Sequence, residues 1–437
     1  MREKKGKSIA ATLATATCSL LGNTVSEPVQ AQEEPGWDFN TALLFYDEAD
    51  DRVQDISLNF LAVRTFDDDR SLSLGLTIDT LTGPTPTGAI PFDSAQTFTR
   101  ASGLSTYTTA AEQIPLDDTF LDDRFAISAS WQQPLGRLFT INAGLTGSSE
   151  YDYTHIGANV SLSRDFNKRN TTASIGLAIA QDDMDTEGGA PIPLSEMLEV
   201  GNLTNKMGDQ SKDVFDVVLG VTQVINRNFL VKLNYSFSDS SGYLNDPYKF
   251  LSVVDPLTGD PVAVLPGPGP GPSHLNRYEN RPDSRTKHSL YGQAKYYMNG
   301  KVLDASYRFM TDDWGIDSHT VDLHYRWPIG DTSYLEPHFR FYTQSEADFY
   351  RVSLLDDGLP LPSYASADYR LGEFDAITVG VKYGWTLASG NEMSARLEFY
   401  SQDGDAPRNQ LIGNQLSRDP YPDLEAIIAQ FSFRFGH

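Results

Sequence analysis

Asp322 and His324 lie two residues apart, with Ser306 before them and His338 after. In a strand, residues two apart share a face. A carboxylate, two imidazoles and a hydroxyl on neighbouring strands are the parts of an acid–base or nucleophilic set. Their spacing matches no motif of barrel lipases or proteases, and those barrels have fewer strands. The chain is therefore read as no enzyme, and no cofactor is expected.

A second group lies in "YRFMTDDWGIDSHT", residues 307–320. Asp312, Asp313 and Asp317 supply hard oxygen donors of the kind Ca²⁺ takes. His319, however, shares parity with Val321 and Leu323, which places it on the apolar face. A structural turn over 311–315 is the favoured reading, with Trp314 at a membrane interface. Asp183-x-Asp185-x-Glu187-Gly188 matches the first half of a calcium loop. The twelfth position is Leu194, where the motif needs a bidentate Glu. At Asp183, Asp185, Glu187, Asp312 and Asp313 the expectation is weak divalent binding, or cation bridges to lipopolysaccharide phosphates, at the most. No metal centre is expected.

The element that must hold these residues is a strand. Leu303, Ala305, Tyr307 and Phe309 alternate with Asp304, Ser306 and Arg308, and the pattern resumes after the turn through Val321, Leu323, Tyr325 and Trp327. Period two means one apolar and one polar face. Sixteen such sets run along the chain, from Trp37–Phe45 to Ile427–Phe435. Their connections alternate in length. Seven of them, such as 67–70, 226–228 and 298–301, are short. Between them fall the long stretches 82–119, 181–212, 239–285, 350–372 and 403–423, with three further short links. Short turns on one rim and long loops on the other predict an all-β fold. Specifically, the expectation is a transmembrane up-and-down antiparallel β-barrel of about 16 strands (14–18 allowed), with periplasmic turns and extracellular loops. A β-sandwich gives no reason for one-sided loop lengths.

The N-terminus carries Arg2, Lys4, Lys5 and Lys7, an apolar run over 9–21, and Val29-Gln30-Ala31. This reads as a signal peptide over 1–31, leaving a barrel over 32–437. Removing it takes away Cys18, the only cysteine, and so excludes disulfides and thiolate chemistry. The 34 basic and 59 acidic side chains give a net charge of −25. Loss of four basic and two acidic residues with the leader makes it −27. That excludes nucleic acid as the main partner. The mean hydropathy of −0.36 looks soluble, yet a barrel with a polar lumen looks the same. The ending "AQFSFRFGH" has Phe431, Phe433 and Phe435 on one face. It resembles the aromatic last strand read by the barrel assembly machinery.

Parity also assigns the lumen. Lys232, Lys287, Lys295, Arg308, Arg326, Arg340, Lys382, Arg396 and Arg434 point inward on strands nine to sixteen, beside His324 and His338. Asp304, Asp322, Glu336, Glu346, Asp375 and Glu398 are assigned to the same face, whereas strands one to eight place mostly Ser, Thr, Asn and Gly inward. Such a wall serves as an ion-paired ladder that stiffens the barrel, as an anion-attracting surface, or as both.

Four stretches, "NDPYK" (245–249), "YENRPDSRTKHS" (278–289), "YRFMTDDWGIDSHT" (307–320) and "EPHFRFYTQSEADFY" (336–350), resemble an uncharacterised family of Gram-negative outer-membrane proteins, a domain of unknown function. The resemblance is clearest from Asn245 onward. It implies a β-barrel in the outer membrane and brings no substrate or catalytic residues. It also hints at redox-linked maturation or transport. The expected function is a channel or transporter for a small polar or anionic solute. The alternative is a structural or interaction barrel with a plugged lumen, linked to a periplasmic redox or maturation system. Expected partners are outer-membrane lipid, lipopolysaccharide, the assembly machinery and the solute. Homo-oligomerisation, as in trimeric porins of this size, is left open.

Overall fold

The computed structural model describes residues 35–50, 52–117, 121–265 and 267–436; the signal-peptide assignment over 1–31 lies outside them. The alternating segments form strands β1 (Gly36–Glu48), β2 (Gln54–Thr65), β3 (Ser71–Thr82), β4 (Leu121–Leu135), β5 (Phe139–Ser149), β6 (Tyr153–Phe166), β7 (Thr171–Met184) and β8 (Gln210–Asn226). They continue as β9 (Phe229–Gly242), β10 (Ser284–Met298), β11 (Lys301–Asp312), β12 (Asp317–Ile329), β13 (Ser333–Gln344), β14 (Phe374–Thr386), β15 (Glu392–Gly404) and β16 (Leu424–Gly436). Each pairs antiparallel with its neighbours in sequence, and β1 pairs with β16 to close a barrel. Closure leaves no strand edge to be desolvated in hydrocarbon.

The two faces of the wall follow from the alternation. Leu145, Ile156, Ile179 and Leu233 are 60–66% exposed on the outer face. In a water-soluble protein such a belt would be a large unpaid burial debt, whereas in lipid it is the expected surface. Aromatic rings flank it. Phe39 stacks on Phe435 and Trp37 near one rim. Near the other, the Tyr307 hydroxyl bonds His319 Nδ1 at 2.6 Å, and Tyr235 does the same to His288 at 2.8 Å. His319 therefore belongs to the outer girdle.

The long loops are not loose. Short strands pair within them, such as Gln96–Thr99 with Thr106–Thr109, and Phe250–Val254 with both Asn276–Tyr278 and Leu354–Leu355. Loops from around the barrel share one core. Ile90 (β3–β4 loop), Val254 (β9–β10), Trp314 (β11–β12), Phe349 (β13–β14) and Tyr421 (β15–β16) bury against one another. A second core joins Phe98, Met197, Phe250 and Tyr278, bringing in the β7–β8 loop. Loops rooted on opposite sides of the wall thus meet over the extracellular mouth and form a lid.

The lid corrects one expectation. Trp314 is 4% exposed and does not face the bilayer. It stands edge-on to Phe349, donates Nε1–H to the Ser284 carbonyl at 2.8 Å, and lies under the Arg285 guanidinium. The short β11–β12 turn delivers it into the shared core. Two lumen assignments also change. Asp375 pairs with Thr343 and shares parity with Ile377 and Val379, so it lies on the outer face of β14. Glu346 falls beyond the end of β13, in a lid loop.

Candidate functional site

The aspartates of the β11–β12 turn are structural. The Asp312 side chain is fully buried and bonds Arg285 through Oδ2 at 2.5 Å. Its Oδ1 accepts the N–H groups of Trp314 and Ile316 at 3.0 and 2.9 Å. Asp313 accepts the Thr286 N–H at 2.9 Å. The lone pairs a cation would need are largely taken. Gly315 has φ +87°, and a Cβ there would sit 2.5 Å from the Asp348 carboxylate, so only glycine fits the turn. Asp183, on the outer parity of β7, accepts from Gln181. Asp183, Asp185 and Glu187 do not converge with other donors. Among the described residues, the one group of three or more such donors able to share an ion is Asp322, His324 and His338.

Inside the barrel, the basic wall is mostly partnered. Lys295 pairs with Asp304 at 3.0 Å, and Arg396 lies 3.6 Å from Glu398 and bonds Gln430. Arg434 pairs with Asp38 across the closing seam. Arg326 lies 3.5 Å over the Tyr334 ring and 3.9 Å from Glu392, with the Lys382 ammonium 5.8 Å from the same ring. Arg308 rests 5.7 Å over Tyr291. Lys232 is in register with Gln293, and Arg340 with Asp322. A ladder of this kind stiffens the wall, and each pair trades desolvation against attraction.

Two groups stand apart from the ladder. The first is the imidazole pair. His324 and His338 are directly opposite on β12 and β13, and their rings stack at 4.1 Å between centroids with 6° between planes. Asp322 bridges them, at 3.0 Å from His324 Nε2 and 3.2 Å from His338 Nε2. Glu398 holds His338 Nδ1 at 2.8 Å, and Glu336 faces His324 Nδ1 at 3.7 Å. His338 and Glu398 sit on β13 and β15, with β14 between them. They meet because β14 carries Gly380 there; a Cβ would come within 2.4 Å of Glu398 Cγ. Side chains two strands apart converge only on the concave side of a closed sheet, which locates this group inside the barrel. It borders a cavity of about 130 Å³ that Lys382 and Arg396 also line.

The second lies under the lid. A cavity of about 330 Å³ is bounded on the charged side by Lys212, Arg281, Arg285, Lys287 and Arg370, interleaved with Asp182, Asp246 and Asp368. Met310, Trp314 and Tyr342 are among the residues of its apolar side. Lys212 is held by Asp182 at 2.8 Å, which also binds His155 Nδ1 at 2.6 Å. Arg370 is held by Asp246 at 2.7 Å and Asp368 at 2.5 Å. Lys287 makes no ion pair within 4.0 Å among the described residues, although the Asp216 and Asp312 carboxylates act on it from further off. Across the barrel, the small side chains of β1–β8 leave a further space of about 330 Å³ along Asn40, Asn59, Gly75, Thr77 and Ser128.

The lid's ionic core was not anticipated from the sequence. Asp368, Glu279 and Arg281 are nearly fully buried, with Arg281 at 2.8 Å from Asp368 and 2.6 Å from Glu279. Burial opposes charge on Asp368, but Arg370, Lys249 and Arg281 outweigh it and hold its carboxyl well below the usual range. Burial pushes Glu279 up to about 7 despite Arg281, and pulls the Lys249 ammonium down. Asp246 and Lys249 lie in "NDPYK" and Glu279 and Arg281 in "YENRPDSRTKHS", but nothing local to these stretches pairs them with Asp368 and Arg370.

No curated protein matches the sequence. Among solved structures, a bacterial polysaccharide outer-membrane secretin is similar at 11% identity and TM-score 0.42, covering 91% of this chain and 98% of that one. Pseudomonas aeruginosa OccK5 (OpdH) is similar at 9% identity and TM-score 0.39, covering 93% and 99%. The ferric enterobactin receptor PfeA is similar at 9% identity and TM-score 0.40 over 84% of this chain, which spans about half (54%) of the receptor's length. A family model matches residues 10–435, and with it the chain belongs to the family described as Protein of unknown function (DUF3570).

Proposed function

We propose that this protein is a lidded outer-membrane channel that binds a small organic anion beneath its extracellular loops. The observation that carries this reading is the cavity under the lid. At about 330 Å³ it is of small-molecule size. One side is apolar and aromatic, and the other presents Lys287, which makes no close ion pair among the described residues although Asp216 and Asp312 act on it from further off. A carboxylate or sulfonate on an apolar body satisfies both sides. The partly empty wall of β1–β8 supplies a path onward. Orientation follows from loop length, with the lid outside and the short turns in the periplasm.

Planar-bilayer recording tests this. The wild-type barrel is expected to open in brief events that benzoate, used as a probe, blocks at one side, while benzamide does not. Lys287→Gln should weaken the block about tenfold or more. A folded barrel that conducts neither as wild type nor after lid opening by Asp368→Ala rejects the channel. That result would favour the second reading, a closed barrel that serves a partner, which the hydrophobic lid core supports.

A further inference from the structure

We infer that Asp322, His324 and His338 form a binding site for a divalent transition-metal ion of the zinc class inside the barrel, held in place by Glu336 and Glu398. The inference is independent of the solute proposed above. Each imidazole has carboxylate oxygens facing both of its nitrogens: Asp322 and Glu336 for His324, Asp322 and Glu398 for His338. A neutral imidazole carries one N–H and cannot donate to both. One nitrogen of each ring therefore faces a carboxylate oxygen with no N–H of its own to donate.

A single divalent ion supplies the missing partner for both nitrogens once the rings tilt out of their parallel stack, so that their in-plane lone pairs converge on it. It takes an oxygen of Asp322 and Nε2 of both histidines, which lie 3.0 and 3.2 Å from that carboxylate; one donor atom from each of the three residues lies within 4.8 Å of the other two. Both rings stay neutral, and each Nδ1–H donates to its glutamate. Metal-bound histidines are oriented in this way by a carboxylate on the far nitrogen. The donor set, two imidazoles and a carboxylate, suits Zn²⁺ and its first-row neighbours better than Ca²⁺ or Mg²⁺. Three protein ligands leave coordination positions open toward the cavity of about 130 Å³. There Lys382 and Arg396 can receive an anion bound to the metal. The backbone favours the site as well. Asp322 and His324 are two apart on β12, His338 is their cross-strand neighbour, and Gly380 lets Glu398 reach it.

The test uses full-length barrel in detergent, purified without a polyhistidine tag and stripped with chelator. Zn²⁺ titration by calorimetry, with metal content after desalting, should give one ion per barrel. His338→Gln and His324→Gln should abolish that stoichiometric uptake. Glu398→Gln, which keeps all three ligands, should weaken it 10- to 100-fold. His319→Gln and Asp183→Asn should leave it unchanged. Heat-modifiable gel migration shows that each variant is folded. Co²⁺ added to the wild type should give a visible spectrum of nitrogen ligation, a readout that needs no variant. Failure of the wild type to retain stoichiometric Zn²⁺, an oxygen-only Co²⁺ spectrum, or full retention by folded His338→Gln overturns the site.

Discussion

Removing the Asp368 carboxylate should unlock the lid while leaving the barrel intact. Asp368 is 1% exposed and accepts from Arg281 at 2.8 Å, from Arg370 Nε at 2.8 Å, and from the Arg370 backbone N–H at 3.1 Å. Asp368→Ala leaves Arg281 with Glu279 alone and Arg370 with Asp246 alone, with Lys249 beside them. Breaking a buried pair from one side costs about 3–5 kcal/mol. At 1.4 kcal/mol per tenfold, the closed-to-open ratio should fall between about a hundredfold and a few thousandfold. The wall strands keep their own ladders, so the loss falls on the lid. Native-state proteolysis beside buried Tyr350 measures it, because cleavage follows the open population when reclosing is fast. Asp356→Ala, at an exposed loop position, should change the rate little. A folded Asp368→Ala barrel that resists protease as the wild type does would refute the reasoning, and with it the claim that the ionic core holds the loops together.

The lid should also respond to pH. The Tyr248 hydroxyl donates to Asp152 at 2.7 Å, and burial raises the Asp152 carboxyl from 3.8 to about 7. Because the folded value is the higher one, its contribution is fully present below about pH 4 and lost as pH rises toward 7. Glu279 shifts in the same direction. The denaturant midpoint followed through Trp314 fluorescence should therefore be lower near pH 8 than near pH 5, and Asp152→Asn should flatten part of that difference. On the wall, Leu323→Arg places a charge on the lipid face at a cost of about 2–4 kcal/mol near the midplane. It should impair assembly by heat-modifiable migration, while Asp322→Asn on the opposite face assembles normally. Equal tolerance of the two changes would mean that the faces are assigned the wrong way round.

The wall was legible because its rule is local. Period two sorts Leu323 from Asp322 with no knowledge of neighbours, and sixteen repetitions with one-sided loop lengths leave few architectures. The same rule corrects Asp375, which belongs with Ile377 and Val379 by parity. It also puts His324 and His338 on one face. That they stack and share Asp322 depends on cross-strand register, and the reach of Glu398 depends on Gly380, on the strand between it and His338. The lid obeys no period. Arg281 and Asp368 are 87 residues apart, joined by packing among loops that carry no repeating signal. Trp314 shows the cost. A tryptophan after a strand end has the same local sequence whether it meets headgroups or a buried core, and only its distant partners Phe349 and Arg285 distinguish the two.

The seam between β1 and β16 sets the order of events in biogenesis. Arg434 reaches Asp38 on the inside and Phe435 stacks on Phe39 on the outside, so residues almost 400 positions apart complete the last row of ladder bonds. Fifteen hairpin contacts form between sequence neighbours, but this one waits until the whole chain has been delivered. Until then two strands present bare amide edges, the state most exposed to mispairing and proteolysis. Closure is thus the one contact that only the full set of strands can make. A chain interrupted before Leu424 lacks the strand that pairs with β1 and is left an open sheet with two bare edges.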